Sequence, residues 1–186
     1  LSYAYDHEWI NKTIYQNAYV RTDSYFDNSP LASSGLPSEQ ELELLNPWKD
    51  QLPKEIFTEN FVPPSTDGSG NDRTNLLKAK NILEQEGWII ENGKLTKNGK
   101  EFTFEFLIVS PSDEKIALAY QSNLKKLGIT MEVRTVDSSQ YQARLLNYDF
   151  DMIKRYWGVS LSPGNEQQFY WGSEVGKKME VETMLA

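Results

Sequence analysis

Phe102-Thr103-Phe104-Glu105-Phe106-Leu107-Ile108 opens the stretch that decides the fold. Phe102, Phe104, Phe106 and Ile108 alternate with Thr103, Glu105 and Leu107, the period-2 pattern of a strand with one well-buried face. Ser110-Pro111-Ser112-Asp113 follows as a helix start, with serine at the N-cap, proline at the first helical position and an acid in the first turn. Ile116, Tyr120, Leu124 and Leu127 then recur at helical spacing, and Lys125, Lys126 and Gly128 close the helix. Ile129, Met131 and Val133 alternate with Thr130, Glu132 and Arg134 as a second strand. Asp137 to Gln140 has capping-box spacing ahead of a short helix carrying Tyr141 and Leu145. Phe150 to Trp157 supplies a third strand. Such a β-α-β-α-β run predicts an α/β fold, a parallel or mixed sheet flanked by helices. Ligands of open sheets of this kind sit beyond the strand carboxyl ends, which here is the loop from Gly158 to Gln168.

Working outward, Asp72 to Glu86 reads as a helix with Leu76, Ala79, Ile82 and Leu83 inward and Gly87 as its stop. Trp88 to Leu95 then forms a hairpin turning at Asn92-Gly93 with type I′ chemistry. Ser2 to Ala18 reads as one helix, with Asp6 as a cap or break and Trp9, Ile10 and Ile14 on one face. Residues 19–70 are mostly loop, with short helices expected at Glu39 to Leu45 and around Pro53 to Phe57. Asp67-Gly-Ser-Gly-Asn reads as a flexible link. A stretch this irregular is uncommon in one domain unless it is functional or packs against something else. The division expected is a helix with long loops over 1–70, an α/β core over 71–171 and an irregular tail over 172–186.

Composition narrows the classes. A net charge of −8 opposes an electrostatic hold on nucleic acid or anionic lipid. The absence of cysteine removes disulfides, thiolate nucleophiles and zinc–thiolate sites. No run of apolar residues is long enough to span a bilayer as a helix, and Leu1-Ser-Tyr-Ala-Tyr carries no leader pattern. His7 is the only histidine and sits between Asp6 and Glu8, so it reads as a surface or helix-capping residue rather than a catalytic base. Asp149 with Asp151, and Glu39, Glu41 and Glu43, could be paired for acid/base work but read as solvated faces. No phosphate-binding glycine loop is present, and no cofactor or metal is expected.

The loop after the third strand is different. Tyr156, Trp157, Ser160, Ser162, Asn165, Glu166 and Gln167 gather polar groups beside aromatics at a strand end, and Arg155 joins them as a candidate. That mix suits a small polar ligand with apolar parts. It equally suits a structural crossover turning at Pro163-Gly164. Tyr25 and Phe26 stand in the same balance, and Tyr25 completes the candidate binding set.

Several words of this sequence carry a resemblance. They are Ala4-Tyr-Asp-His-Glu-Trp-Ile-Asn-Lys, Tyr19-Val-Arg-Thr-Asp-Ser-Tyr-Phe, Ser33-Ser-Gly-Leu-Pro, Asp67-Gly-Ser-Gly, Val133-Arg-Thr-Val-Asp-Ser-Ser-Gln-Tyr, Tyr148-Asp-Phe-Asp-Met-Ile and Ser160-Leu-Ser-Pro-Gly-Asn-Glu-Gln. Together they resemble the C-terminal lobe of the family 5 extracellular solute-binding proteins, in the microcin- and oligopeptide-importing branch. The resemblance implies one lobe of a type II periplasmic binding protein that closes on a peptide or peptide-like solute and delivers it to an ABC permease. It implies a periplasmic location, no catalysis, and an N-terminal lobe outside this sequence. A lone lobe is expected to bind weakly and to self-associate through the face that meets its companion. The alternative is a repurposed lobe acting as an interaction module, and an acid-dependent hydrolase is a third reading.

Two departures from the family pattern matter. Dipeptide-type relatives place an aspartate in the loop after the tryptophan strand, to pair with the peptide's amino terminus. Here Ser160 stands near that place, no aspartate occurs between Gly158 and Tyr170, and Glu166 is the candidate substitute. Relatives also continue with a Gly-Ser-Arg-Asn motif where this chain has Met179-Glu-Val-Glu-Thr-Met-Leu-Ala. Those residues fit a reading-frame shift near Lys178.

Overall fold

The computed structural model describes residues 1–156, 158 and 163–172. Along the chain run helices α1 (His7–Thr13), α2 (Glu39–Leu45), α3 (Glu55–Thr58) and α4 (Arg73–Gln85). Strands β1 (Ile89–Glu91), β2 (Lys94–Lys97), β3 (Lys100–Glu101) and β4 (Thr103–Ile108) follow. Then come α5 (Pro111–Lys126), β5 (Thr130–Thr135), α6 (Ser138–Leu146), β6 (Met152–Ile153) and α7 (Glu166–Trp171). These divide into two units, Leu1–Arg21 with Val62–Arg155, and Thr22–Phe61 with the residues from Tyr156 on.

In the first unit β4 is the centre of a parallel sheet of order β5-β4-β6. The register pairs Thr103 with Thr130 and Ile108 with Thr135 on one side, and Phe106 with Met152 on the other. The expected alternation holds only for the start of β4. Phe106, Leu107 and Ile108 are all buried, because a central strand in a parallel sheet is covered on both faces. A separate antiparallel meander β1-β2-β3 precedes it, so the strands form two sheets rather than one mixed one. Asn92 and Gly93, and again Asn98 and Gly99, take positive φ at the two turns, as type I′ geometry requires.

Helix α5 lies on the parallel sheet because its apolar stripe is continuous. Ile116, Ala117, Tyr120 and Leu124 are buried in one cluster with Phe106, Ile108, Ile129 and Met131. Ser110 caps the helix by accepting from the Ser112 N–H at 3.3 Å. The Tyr120 ring meets Tyr5 edge-on at 5.4 Å, and its hydroxyl donates to the Leu1 carbonyl at 3.3 Å. Burial, reinforced by Tyr5, pushes that phenol up to about 12. Gly128 leaves α5 at φ +76°, where a Cβ would sit 2.8 Å from the Leu95 nitrogen.

The chain departs from expectation at four places in this unit. Ser2 to Ala18 is not one helix. A single 3-10 turn, Ser2–Ala4, precedes α1, because the Asp6 carboxylate caps α1 by accepting from the Trp9 N–H at 2.9 Å. Among the described residues the third strand is Met152–Ile153, and Trp157, where it was expected to end, lies outside them. Lys154 beyond it is held by side chains instead, to Asp113 at 2.6 Å and the Tyr15 hydroxyl at 3.0 Å. Ile82 in α4 is exposed while Ala79 is buried. Finally, residues 65–72 are tied down rather than a free link. Gly70 donates to Asp6 at 2.8 Å, and Asn75 donates to the Ser65 carbonyl at 2.6 Å.

In the second unit α2 follows its sequence cue to the residue. Ser38 and Glu41 form a reciprocal capping box, with the Ser38 N–H donating to Glu41 Oε2 at 2.7 Å. A 3-10 stretch, Asn46–Gln51, and the short α3 continue from it. Lys49 Nζ lies 5.5 Å from the Phe57 ring centre.

Candidate functional site

Tyr25 stands on a loop, 22–34, that its own serines hold closed. Ser24 Oγ accepts from the backbone N–H of Phe26 at 3.3 Å and of Ser33 at 3.0 Å. Ser29 Oγ donates to the Phe26 carbonyl at 2.7 Å. With hydroxyls doing the work of a ladder, the loop keeps a fixed shape and presents Tyr25 at 72% exposure. Tyr25 lines an open cavity of about 420 Å³ with Thr22, Asp23, Ser24, Ser33 and Phe61. Asp23 is the only charged residue among the described residues of that lining.

The other sequence candidates are placed unevenly. Trp157, Ser160 and Ser162 lie outside the described residues. Tyr156 is 73% exposed in the second unit, and the exposed Arg155 closes the first. Asn165 precedes α7 without forming a side-chain cap. Glu166 bends back, accepting from the Gly164 N–H at 2.8 Å and Gln167 Nε2 at 3.3 Å. The Gly164 N–H is the main reason its carboxyl sits below the usual carboxylate range. Glu166 is therefore a locally satisfied anion at its own turn.

Three of the acids considered for acid/base work are occupied otherwise. Asp149 pairs with Arg144 at 2.8 Å, and Asp151 accepts from the Glu105 N–H at 2.8 Å. Glu41 serves the α2 cap. Among the described residues no group of three His, Asp or Glu could hold a metal ion, and no helix is long and apolar enough to cross a membrane.

His7 departs from its surface reading. Its ring is partly covered and Nε2 is buried with no hydrogen-bond partner among the described residues. Burial first, then Arg21, holds its pKa below the ordinary 6.5 against the opposing pull of Glu8 and Asp6. Around it Asp6, Glu8 and Thr66 form a structural knot. The Thr66 hydroxyl contacts Asp6 Oδ1 and lies 2.7 Å from Glu8 Oε2, while Thr66 N–H donates to Glu8 at 2.9 Å. Glu8 also pairs with Arg21 at 3.1 Å.

Sequence reasoning reached Tyr25 but missed Asp23 and Phe61. Asp23 stood in the quoted word Arg21-Thr-Asp-Ser-Tyr-Phe, two positions before Tyr25. Phe61 carried no local signal, since only the fold brings it to the same cavity.

Residues 1–179 match the family model of the bacterial extracellular solute-binding proteins, family 5 Middle. The chain is 46% identical over 175 residues to the uncharacterized protein y4wM of Sinorhizobium fredii, covering 93% of this chain and 26% of that protein. It is 44% identical over 175 residues to the peptidoglycan-binding protein YepA of Agrobacterium fabrum, covering 93% and 28%. It therefore spans about a quarter of the length of these relatives. Among solved structures, the oligopeptide-binding protein AppA of Bacillus subtilis, in complex with a nonapeptide, matches with TM-score 0.56 and 25% identity over 90% of this chain and 28% of that one. NikA of Brucella suis, in complex with Fe(III)-EDTA, matches with TM-score 0.59 and 19% identity over 95% and 34%, a likeness of fold alone. The fold is that of a periplasmic binding-protein lobe, and its family is defined by solute binding and not by a reaction. The chain belongs to the bacterial extracellular solute-binding proteins of family 5.

Proposed function

We propose that this chain is part of the substrate-binding component of a periplasmic ABC importer and holds a peptide or peptide-like solute without altering it. The observation that carries the reading is the exposed, aromatic-walled cavity at Tyr25 in a chain of this family. Exposed aromatics beside a few polar groups suit ligands that mix apolar side chains with amides. The relatives' names point the same way, since one is called a probable peptide-binding protein and another a peptidoglycan-binding protein. In such proteins a second lobe excludes water from the ligand, and a permease receives it on opening. Native mass spectrometry of the chain with a mixture of short peptides tests the reading. A retained peptide of unchanged mass supports it, absence of any adduct overturns it, and a shortened peptide would reinstate the hydrolase.

A second reading, an interaction module without solute, draws on one observation. Leu36, Leu44 and Trp48 in the second unit are each exposed, and large exposed apolar side chains favour association. Dimers that persist at low concentration and ignore added peptide would favour it.

A further inference from the structure

We propose that the open edge of β5 is a docking strand for a second copy of this chain, paired antiparallel about a two-fold axis at Val133. The proposal is independent of the solute reading, since the described lining of the cavity at Tyr25 contains no β5 residue.

Backbone phase defines the edge. β5 ends its sheet, with β4 on one side and no strand on the other among the described residues. In a parallel pair each residue turns its N–H and C=O to the same side, and the side alternates along the strand. The Thr130 N–H donates to the Phe102 carbonyl and the Val136 N–H to the Ile108 carbonyl, each at 3.0 Å. Glu132 and Arg134 share that phase and face β4, so Met131, Val133 and Thr135 turn their backbone groups outward. Of these outward groups, only the Met131 carbonyl has a partner among the described residues, Gln121 Nε2 at 2.7 Å.

Open strand edges recruit other strands, and charged side chains along an edge usually deter them. Here the charges are self-complementary. Glu132 and Arg134 are exposed on one face of the strand, and neither side chain has a hydrogen bond or ion pair among the described residues. Pairing about Val133 sets Glu132 opposite Arg134 of the second copy, and Arg134 opposite its Glu132. An axis at Glu132 or at Arg134 would instead set like charges face to face, which destabilises the pair. An axis between residues would put the outward backbone groups out of phase.

The favoured register also satisfies the backbone. Val133 meets its own counterpart, and the two exchange a pair of N–H···O=C bonds. Thr135 meets Met131, whose carbonyl keeps a second lone pair beside Gln121. The same patch serves both copies, as a closed two-fold dimer requires. A net charge of −8 repels two copies at long range, but at about 0.15 M salt that repulsion is screened beyond about 8 Å, while contacts within the pair persist.

Sedimentation equilibrium of the 186-residue chain at that salt, over about 10 μM to 1 mM, reads the dimer constant. A reversible dimer is expected. Glu132→Lys leaves two cations on the exposed face and Arg134→Glu leaves two anions, so each alone should weaken self-association about tenfold. Both positions are exposed, so the fold is retained. An equimolar mixture of the two variants should form a mixed dimer as tight as the parent's, and the doubly substituted chain should recover it. Amide exchange followed by NMR locates the contact. Val133 and Thr135 should gain protection as concentration rises, while Glu132 and Arg134, already bonded to β4, should not change. A monomer throughout, no protection gained at Val133, or a mixture no tighter than its components overturns the proposal. Dimers that survive both single reversals also overturn it, because they belong to another surface. A peptide adduct, or its absence, in these experiments bears on the solute reading alone.

Discussion

The two units solve opposite problems. The unit built on β4 and α5 contains every fully buried apolar residue found among the described residues, from Ala4 to Met131. The unit of Thr22–Phe61 and the region from Tyr156 on contributes none of them, and instead exposes Tyr25, Leu44, Trp48, Phe61 and Tyr156. The first is held by area removed from water, the term that dominates folding. The second is held by capping serines, short helices and turns, each contributing about 1 kcal/mol or less. The difference places the buried core in one unit and, on the function proposed above, recognition in the other.

Breaking the comparison starts with the core. Leu107→Ala, at a position with no exposure near the end of β4, should cost about 3 kcal/mol in urea unfolding. Leu44→Ala, at 75% exposure in α2, should cost under about 0.5 kcal/mol. Similar losses at the two sites would remove the distinction. Asp6→Ala comes next. It deletes the α1 cap and the acceptor for Gly70, and should cost about 2 kcal/mol, measured in the same way. Ser38→Ala should cost about 1 kcal/mol, seen as faster amide exchange confined to α2, with protection in β4 unchanged.

Acid sharpens the contrast most gently. Burial first, then Arg21, depresses His7 below its ordinary 6.5. Burial alone would raise Glu8. The Thr66 hydroxyl, backbone N–H groups and Arg21 outweigh it and hold Glu8 below its ordinary 4.5. In both cases the unfolded chain binds more protons than the folded one, so stability is present at neutral pH and lost on acidification. The loss should begin below pH 6.5 with His7 and continue below 4.5 with Glu8. Thermal unfolding of His7→Gln across that range should lack the first step.

What the sequence disclosed depended on how far apart the cause and the effect lay. The α5 stripe, the Asn92-Gly93 turn and the extent of α2 are written within a dozen residues each, and the structure carries them as expected. The break at Asp6 was half visible as a cap. Its strength comes from Gly70 and Thr66, some sixty positions away, where no local pattern points. The third strand failed for the opposite reason. Phe150 to Trp157 has strand-like composition, but an edge position leaves only Met152 and Ile153 in register with β4. Of the candidate site, Tyr25 was legible as an aromatic in a polar loop. Its neighbours in the cavity were not, because exposed residues obey no periodicity.

Glu8 has a role that becomes plain only at the level of the whole chain. By gripping Arg21 with one oxygen and Thr66 with the other, it cinches the two ends of the Thr22–Phe61 excursion to the same helix. The framework is thereby insulated from what happens inside that excursion. Halving or doubling its length would change the closure entropy by only about 0.6 kcal/mol. The segment that carries Tyr25 can be rewritten, lengthened or exchanged like a cassette, while the sheet of the other unit keeps its register.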